Sequence, residues 1–184
     1  VAVVQLDPIF VGVGRALVAA VLAIFALWLA GSQWPSRKQW LRLYLVAAGI
    51  VLGFPLLSTI AMTQVAVSHG AVVVGLLPLA TALFGCWLAN ERPSRVFWMA
   101  TAVGSVTIAI FSLGPRLDSL HPADLLLLGA VIAAGFGYAE GARLARELGA
   151  WQTICWALIA SIPLLVWPTY QYFPQNVDVL TVST

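Results

Sequence analysis

Six apolar runs close to 20 residues long, each bounded by polar punctuation, dominate this sequence: 8–30, 40–62, 69–89, 95–113, 123–142 and 150–168. At 1.5 Å per residue, about 20 helical residues match the ~30 Å hydrocarbon core of a bilayer. Only 9% of the 184 residues are charged, and 61% are hydrophobic. Soluble domains carry about a quarter charged residues, so this chain could not cover its surface in water. Disorder is excluded by the same numbers, because it needs low hydrophobicity and high charge. A net charge of +2 on scattered carriers excludes a nucleic-acid partner. The expected fold is an all-α integral membrane protein with six transmembrane helices and the lipid bilayer as its first partner.

The punctuation follows helix chemistry. Gly31 ends the first run and Gly114-Pro115 the fourth. Pro122-Ala123-Asp124 opens the fifth, with an acid at the positive end of the helix. Between the second and third runs Ser68 is the expected N-cap. Pro55, Pro78 and Pro163 fall inside runs and predict kinks, which a membrane helix tolerates when neighbours satisfy the freed carbonyl. Cys86 and Cys155 sit in apolar surroundings, and no Cys/His metal spacing exists, so neither a disulfide nor a metal is expected.

Charge then sets the orientation. Seven of the nine basic residues (Arg37, Lys38, Arg42, Arg92, Arg95, Arg143, Arg146) flank the junctions after the first, third and fifth runs. Arg116 alone lies at a junction on the other side, and Arg15 is inside a run. The positive-inside rule makes those three junctions cytoplasmic in a multi-pass protein of the inner or plasma membrane. The chain start and the tail then lie outside. Trp34, Trp40, Trp98 and Trp151 mark the inner interface, and Trp167, Tyr170 and Tyr172 the outer one.

A repeat is half visible. Residues 15–21, RALVAAV, resemble residues 156–162, WALIASI, at an offset of 141. The first run goes inward and the sixth outward, so a repeat across them has inverted topology, as in many secondary transporters. The unit is five helices, and the expected whole is a ten-helix protein. Its first unit here lacks most of its opening helix, and its second lacks its last three.

The stretch from Gly70 through Pro78 to Asn90-Glu91-Arg92-Pro93 resembles the EamA-like family of the drug/metabolite transporter superfamily. That family has a proline in mid-helix and a Glu-Arg pair at the cytoplasmic end of the fourth helix of each repeat. Gly104 in the next helix, Asp7-Pro8 with Arg15, and Gly137-Tyr138-Ala139-Glu140-Gly141 with Arg143 are similar to other family positions. The resemblance implies ten helices in two inverted repeats. Residues 1–113 would be the first repeat, 114–121 an outer loop, 122–168 the opening two helices of the second repeat, and 169–184 an outer tail or loop. It also implies secondary transport, often export, of small metabolites such as amino acids, without a cofactor. The small-molecule substrate and the missing helices of the full-length chain are the implied partners.

Each candidate residue carries two readings. Arg15 lies about 10 Å into the first helix. It is a path-lining cation for a substrate carboxylate, or it snorkels outward or pairs with Asp7. Thr59, Gln64 and His69 form a polar cluster at an outer cavity mouth, or a plain polar turn with Thr63 and Ser68. Tyr138 and Glu140 stand within an apolar helix as pathway residues, with Arg143 the local partner of Glu140. Glu91 and Arg92 form a cytoplasmic-end motif, with Arg92 and Arg95 offsetting Glu91 at a helix C-terminus. Pro55 and Pro78 are hinges for alternating access, or kinks fixed by packing. Gly49-xxx-Gly53 and Gly137-xxx-Gly141 predict close helix packing.

Two other functions compete. An intramembrane enzyme needs paired catalytic groups, and the sequence has no HExxH, no GxSxG and no Asp pair on one run. A non-transporting structural or regulatory subunit needs none of them. A nucleotide-binding loop is also absent from the sequence, which leaves no ATP drive in this chain.

Overall fold

The computed structural model describes residues 8–113 and 122–171. Expectations for Val1 to Asp7, for 114–121 with Gly114-Pro115 and Arg116, for the rings of Trp167 and Tyr170, and for 172–184 lie outside the described residues. All described secondary structure is helical: α1 (Pro8–Leu29), α2 (Arg37–Val46), a π-helical segment (Ala47–Gly53), α3 (Phe54–Met62), α4 (Val67–Val74), α5 (Leu77–Ala89), α6 (Arg95–Leu113), α7 (Pro122–Leu148) and α8 (Ala150–Gln171). They make six spans, because α2, the π segment and α3 are continuous and α4 and α5 run in series. Three spans are long and apolar enough to cross a membrane: Arg37–Met62, Val67–Ala89 and Pro122–Leu148. Shorter apolar stretches occupy Gly14–Leu29, Arg95–Ile108 and Ala150–Leu165 of the other three.

Several boundaries differ from the sequence expectation. The second span starts at Arg37, not 40, because Ser36 and Gln39 form a reciprocal capping box ahead of the apolar run. The third starts at Val67 with Ala66 at the N-cap, so Ser68 falls in the first turn and is not the cap. The fifth continues six residues past 142 to Leu148. Its last turns are charged, and pairing with α2 holds them helical beyond the apolar window. Gly149, with φ of +94°, then turns the chain straight into α8.

Both candidate hinge prolines sit where an α-helix restarts. The π segment ends with the Phe54 N–H donating to the Gly49 carbonyl, a five-residue step. That wider turn accommodates Pro55, which has no N–H to give and would crowd an α-helical carbonyl. Pro78 follows a true interruption, Gly75-Leu76, between α4 and α5. Ser58 and Thr81 donate back to the carbonyls of Phe54 (2.6 Å) and Leu77 (2.9 Å), one turn into each restarted helix.

α7 is the hub. α5, α3, the π segment, α2, α8 and α4 all pack on it, α1 packs against α8, and α6 against α4 and α5. The residues that touch are small. Buried apolar positions are mostly alanine (Ala16, Ala20, Ala47, Ala130, Ala134, Ala157, Ala160), while Val18, Leu22, Trp87, Val96 and Met99 point outward. This inverts the soluble pattern. Lipid solvates large apolar side chains as well as a core does, so close backbone packing of small residues holds the helices together. The pattern is that of a multi-pass membrane protein.

Candidate functional site

α5 closes with Asn90 in the left-handed conformation, φ 55°. The chain folds back there, and the Glu91 N–H donates to the Gly85 carbonyl at 3.3 Å. A Cβ on Gly85 would lie 2.8 Å from Glu91 Oε2, so the missing side chain makes room for the carboxylate. Glu91 then reaches across to Arg146 of α7, with Nη1 to Oε1 at 3.5 Å. The expected local partners Arg92 and Arg95 do not take that place, because the left-handed turn directs the carboxylate toward α7.

This turn forms one wall of an open cleft of about 840 Å³ between α5, α6 and α7. Leu77, Pro78, Ala82, Pro93 and Phe97 supply its apolar lining, and Thr81, Glu91, Arg92 and Tyr138 its polar groups. Four candidates from three parts of the sequence meet here: Pro78, the adjacent Glu91 and Arg92, and Tyr138. Its lining combines an apolar body with charged and hydrogen-bonding groups, the make-up of a small-molecule pocket. Tyr138 also borders an apolar groove of about 370 Å³ between α2, the π segment, α7 and α8.

Glu140, two residues after Tyr138, faces α2 instead and is almost fully buried. Arg42 Nε donates to its Oε1, and Arg143 Nη1 to its Oε2 at 2.9 Å. Arg42 Nη1 bonds Glu147 at 2.5 Å, and the Gln39 amide bonds the same carboxylate at 3.1 Å. Two arginines and two glutamates therefore cancel inside one interface, which offsets the desolvation of burying them. Arg42 Nη2 is buried without a hydrogen-bond partner among the described residues. An unmet donor of this kind costs about 1–3 kcal/mol. Arg143 was legible as the partner of Glu140 from its i,i+3 spacing. Arg42 was not, because nothing local signals a pair 98 residues apart. Glu140 and Glu147 are seven residues apart on one helical face, and that spacing was the available hint.

At the opposite end of α7, His69 of α4 meets Asp124, with Nε2 to Oδ1 at 2.7 Å. His69 thus belongs to an inter-helix tie and not to the open turn. Thr63 and Gln64 remain exposed in that turn, and Thr59 and Pro55 are part-buried on α3. Arg15 is exposed on α1, away from the cleft lining, and has no ion pair among the described residues. A separate aromatic cluster at the charged end joins Trp34, Trp40 and Trp156, with ring centroids 5.0–5.7 Å apart. Both cysteines are free. No group of three metal-ligating side chains occurs among the described residues.

Residues 1–113 match the model of the EamA-like transporter family. The chain is also 43% identical, over 175 residues, to the uncharacterized transporter YdeK of Bacillus subtilis (strain 168). The aligned part is 95% of this chain and 61% of the relative, so the chain spans about three-fifths of that relative's length. No solved structure matches it significantly.

Proposed function

The chain belongs to the EamA-like transporter family, and from that premise we propose that it forms part of a ten-helix secondary carrier, one that exports small metabolites such as amino acids by alternating access. Residues 1–113 are then the first repeat, and α7 and α8 open the second. The antiparallel packing of α1 on α8 supports this reading. Ala16 lies with Leu165, and Leu27 with Trp156 and Ala157, so the two helices that carry the resembling segments pack against each other in opposite directions. Ion pairs from α2 and from the α5–α6 turn to α7 gather Arg42, Glu91, Arg143 and Arg146 at one end of the bundle. The positive-inside rule makes that end cytoplasmic.

The cleft between α5, α6 and α7 carries the substrate reading. Tyr138 supplies a hydroxyl, Thr81 lies beside it, and Glu91 and Arg92 offer both signs of charge at the mouth. That set suits a zwitterion with an apolar body. The helix break before Pro78 gives α5 freedom to tilt relative to α4.

The test uses the full-length protein, overexpressed beside a Tyr138→Ala form at equal membrane abundance, with small metabolites profiled in cells and medium. One class of zwitterionic metabolite should accumulate outside only with intact Tyr138. If neither form moves any pool, export is excluded and a non-transporting role takes its place.

A further inference from the structure

We propose that Arg42, Glu140, Arg143 and Glu147 form a latch that closes the charged end of the apolar groove between α2, α7 and α8, and that its release opens that groove. The inference rests on the carrier reading above, because a latch has meaning only if the groove changes access.

Four observations lead to it. First, the latch joins elements on two sides of the groove. Arg42 is on α2, Glu140 and Glu147 are on α7, and the groove lined by Val46, Ile50, Tyr138, Gly141, Ala145 and Ala157 starts beside them, at Ala145 between the two glutamates and at Val46 one turn beyond Arg42. Second, α2 connects to the rest of its span through the π segment, which is the irregular part of that helix. α2 can therefore swing while α3 stays packed on α7. Third, the network is neutral when closed, and it lies where four separated charges would meet water and headgroups when open. Hydration thus offsets the lost ion pairs, which it could not do at mid-membrane. Fourth, Arg42 Nη2 has no hydrogen-bond partner among the described residues, so the network they form is not saturated.

α7 is tied at its other end to a different element, by Asp124 to His69 of α4. One helix is thus pinned to α2 at one end and to α4 at the other. Alternating access needs that kind of arrangement, in which one end opens while the other remains held.

The experiment uses the full-length protein in inside-out membrane vesicles, with Cys86 and Cys155 replaced by serine and one reporter, Ala145→Cys, in the groove. A membrane-impermeant maleimide reads its accessibility. Arg42→Gln should raise the labelling rate about fivefold or more, the size of a typical coupling between two states. The conservative Arg42→Lys, which keeps a cation between the two glutamates, should stay within about twofold of the parent. Glu147→Gln, which removes the exposed partner, should give a smaller rise. An unchanged rate in a monodisperse Arg42→Gln protein overturns the latch, and so does an Arg42→Lys protein that labels as fast as Arg42→Gln. If Arg42→Gln does not fold, an unchanged rate in Glu147→Gln overturns it instead. Labelling needs no flux. Intact export with unresponsive labelling therefore defeats the latch alone, and responsive labelling without export defeats the carrier reading alone.

Discussion

Gly49 of the π segment and Gly137 of α7 bring two backbones into contact. A Cβ on Gly49 would overlap the Ala133 carbonyl oxygen and lie 3.2 Å from the Gly137 Cα. A Cβ on Gly137 would meet the Ile50 Cγ1 at 2.7 Å. The two sites differ in what must yield, since one clash is with backbone and the other mainly with a side chain. Gly49→Ala should therefore destabilise the detergent-solubilised full-length protein by about 3 kcal/mol, and Gly137→Ala by about 1 kcal/mol, the two ends of the overpacking range. Thermal melts of both variants check the order. Equal melting temperatures would refute the close-contact account.

The buried pair and its exposed neighbour should separate in stability. Removing Glu140 with alanine leaves Arg42 and Arg143 facing a poorly hydrated interface and should cost about 3 kcal/mol. Glu147 is 44% exposed, and Glu147→Ala should cost under about 1 kcal/mol. Denaturation followed by the Trp34–Trp40–Trp156 cluster at the same end gives the comparison.

His69 and Asp124 should behave as a coupled pair. Their 2.7 Å contact joins α4 to the first turn of α7. His69→Ala and Asp124→Ala should each destabilise, and the double variant should lose less than the sum by about 1 kcal/mol. Strict additivity would mean that the contact contributes nothing.

Transport should follow the cleft and not the first span. Tyr138→Ala should lower export at least about tenfold, the effect of losing roughly 1.4 kcal/mol of binding. Tyr138→Phe should lower it less, because the ring remains. Arg15→Ala should stay within about twofold of the parent, since Arg15 lies on an exposed face away from the cleft. Initial rates of efflux from preloaded cells test the series, and a larger loss for Arg15→Ala would move the substrate path to α1.

Sidedness has its own test. In the parent lacking Cys86 and Cys155, a cysteine at Ser94 should react with an impermeant maleimide only in inside-out vesicles, and one at Gln64 only in right-side-out cells. Reversed labelling would overturn the orientation read from the basic residues.

How much of this was legible in the sequence follows from how the information is stored. Six helical spans were readable because lipid imposes a length and a composition on each run separately. The gathering of basic residues was readable because successive spans alternate in direction. Cap chemistry was readable at Pro122 but not at Ser68, where the backbone of Ala66 takes the N-cap position. The fifth helix was read six residues short because its last turns are charged, and hydropathy cannot count residues stabilised by a partner helix.

The sequence by itself thus determined the solvent, the number of spans, the family resemblance and the residue types available for function. Only the tertiary structure decided which of them meet. Helix α7 supplies Tyr138 to the cleft and Glu140 to Arg42, although the two lie two residues apart. A step of two residues turns a helix by about 200°, which sends neighbouring side chains to opposite faces. What waits on each face is set by packing between small residues, and such packing leaves no periodic mark in a chain that is apolar throughout.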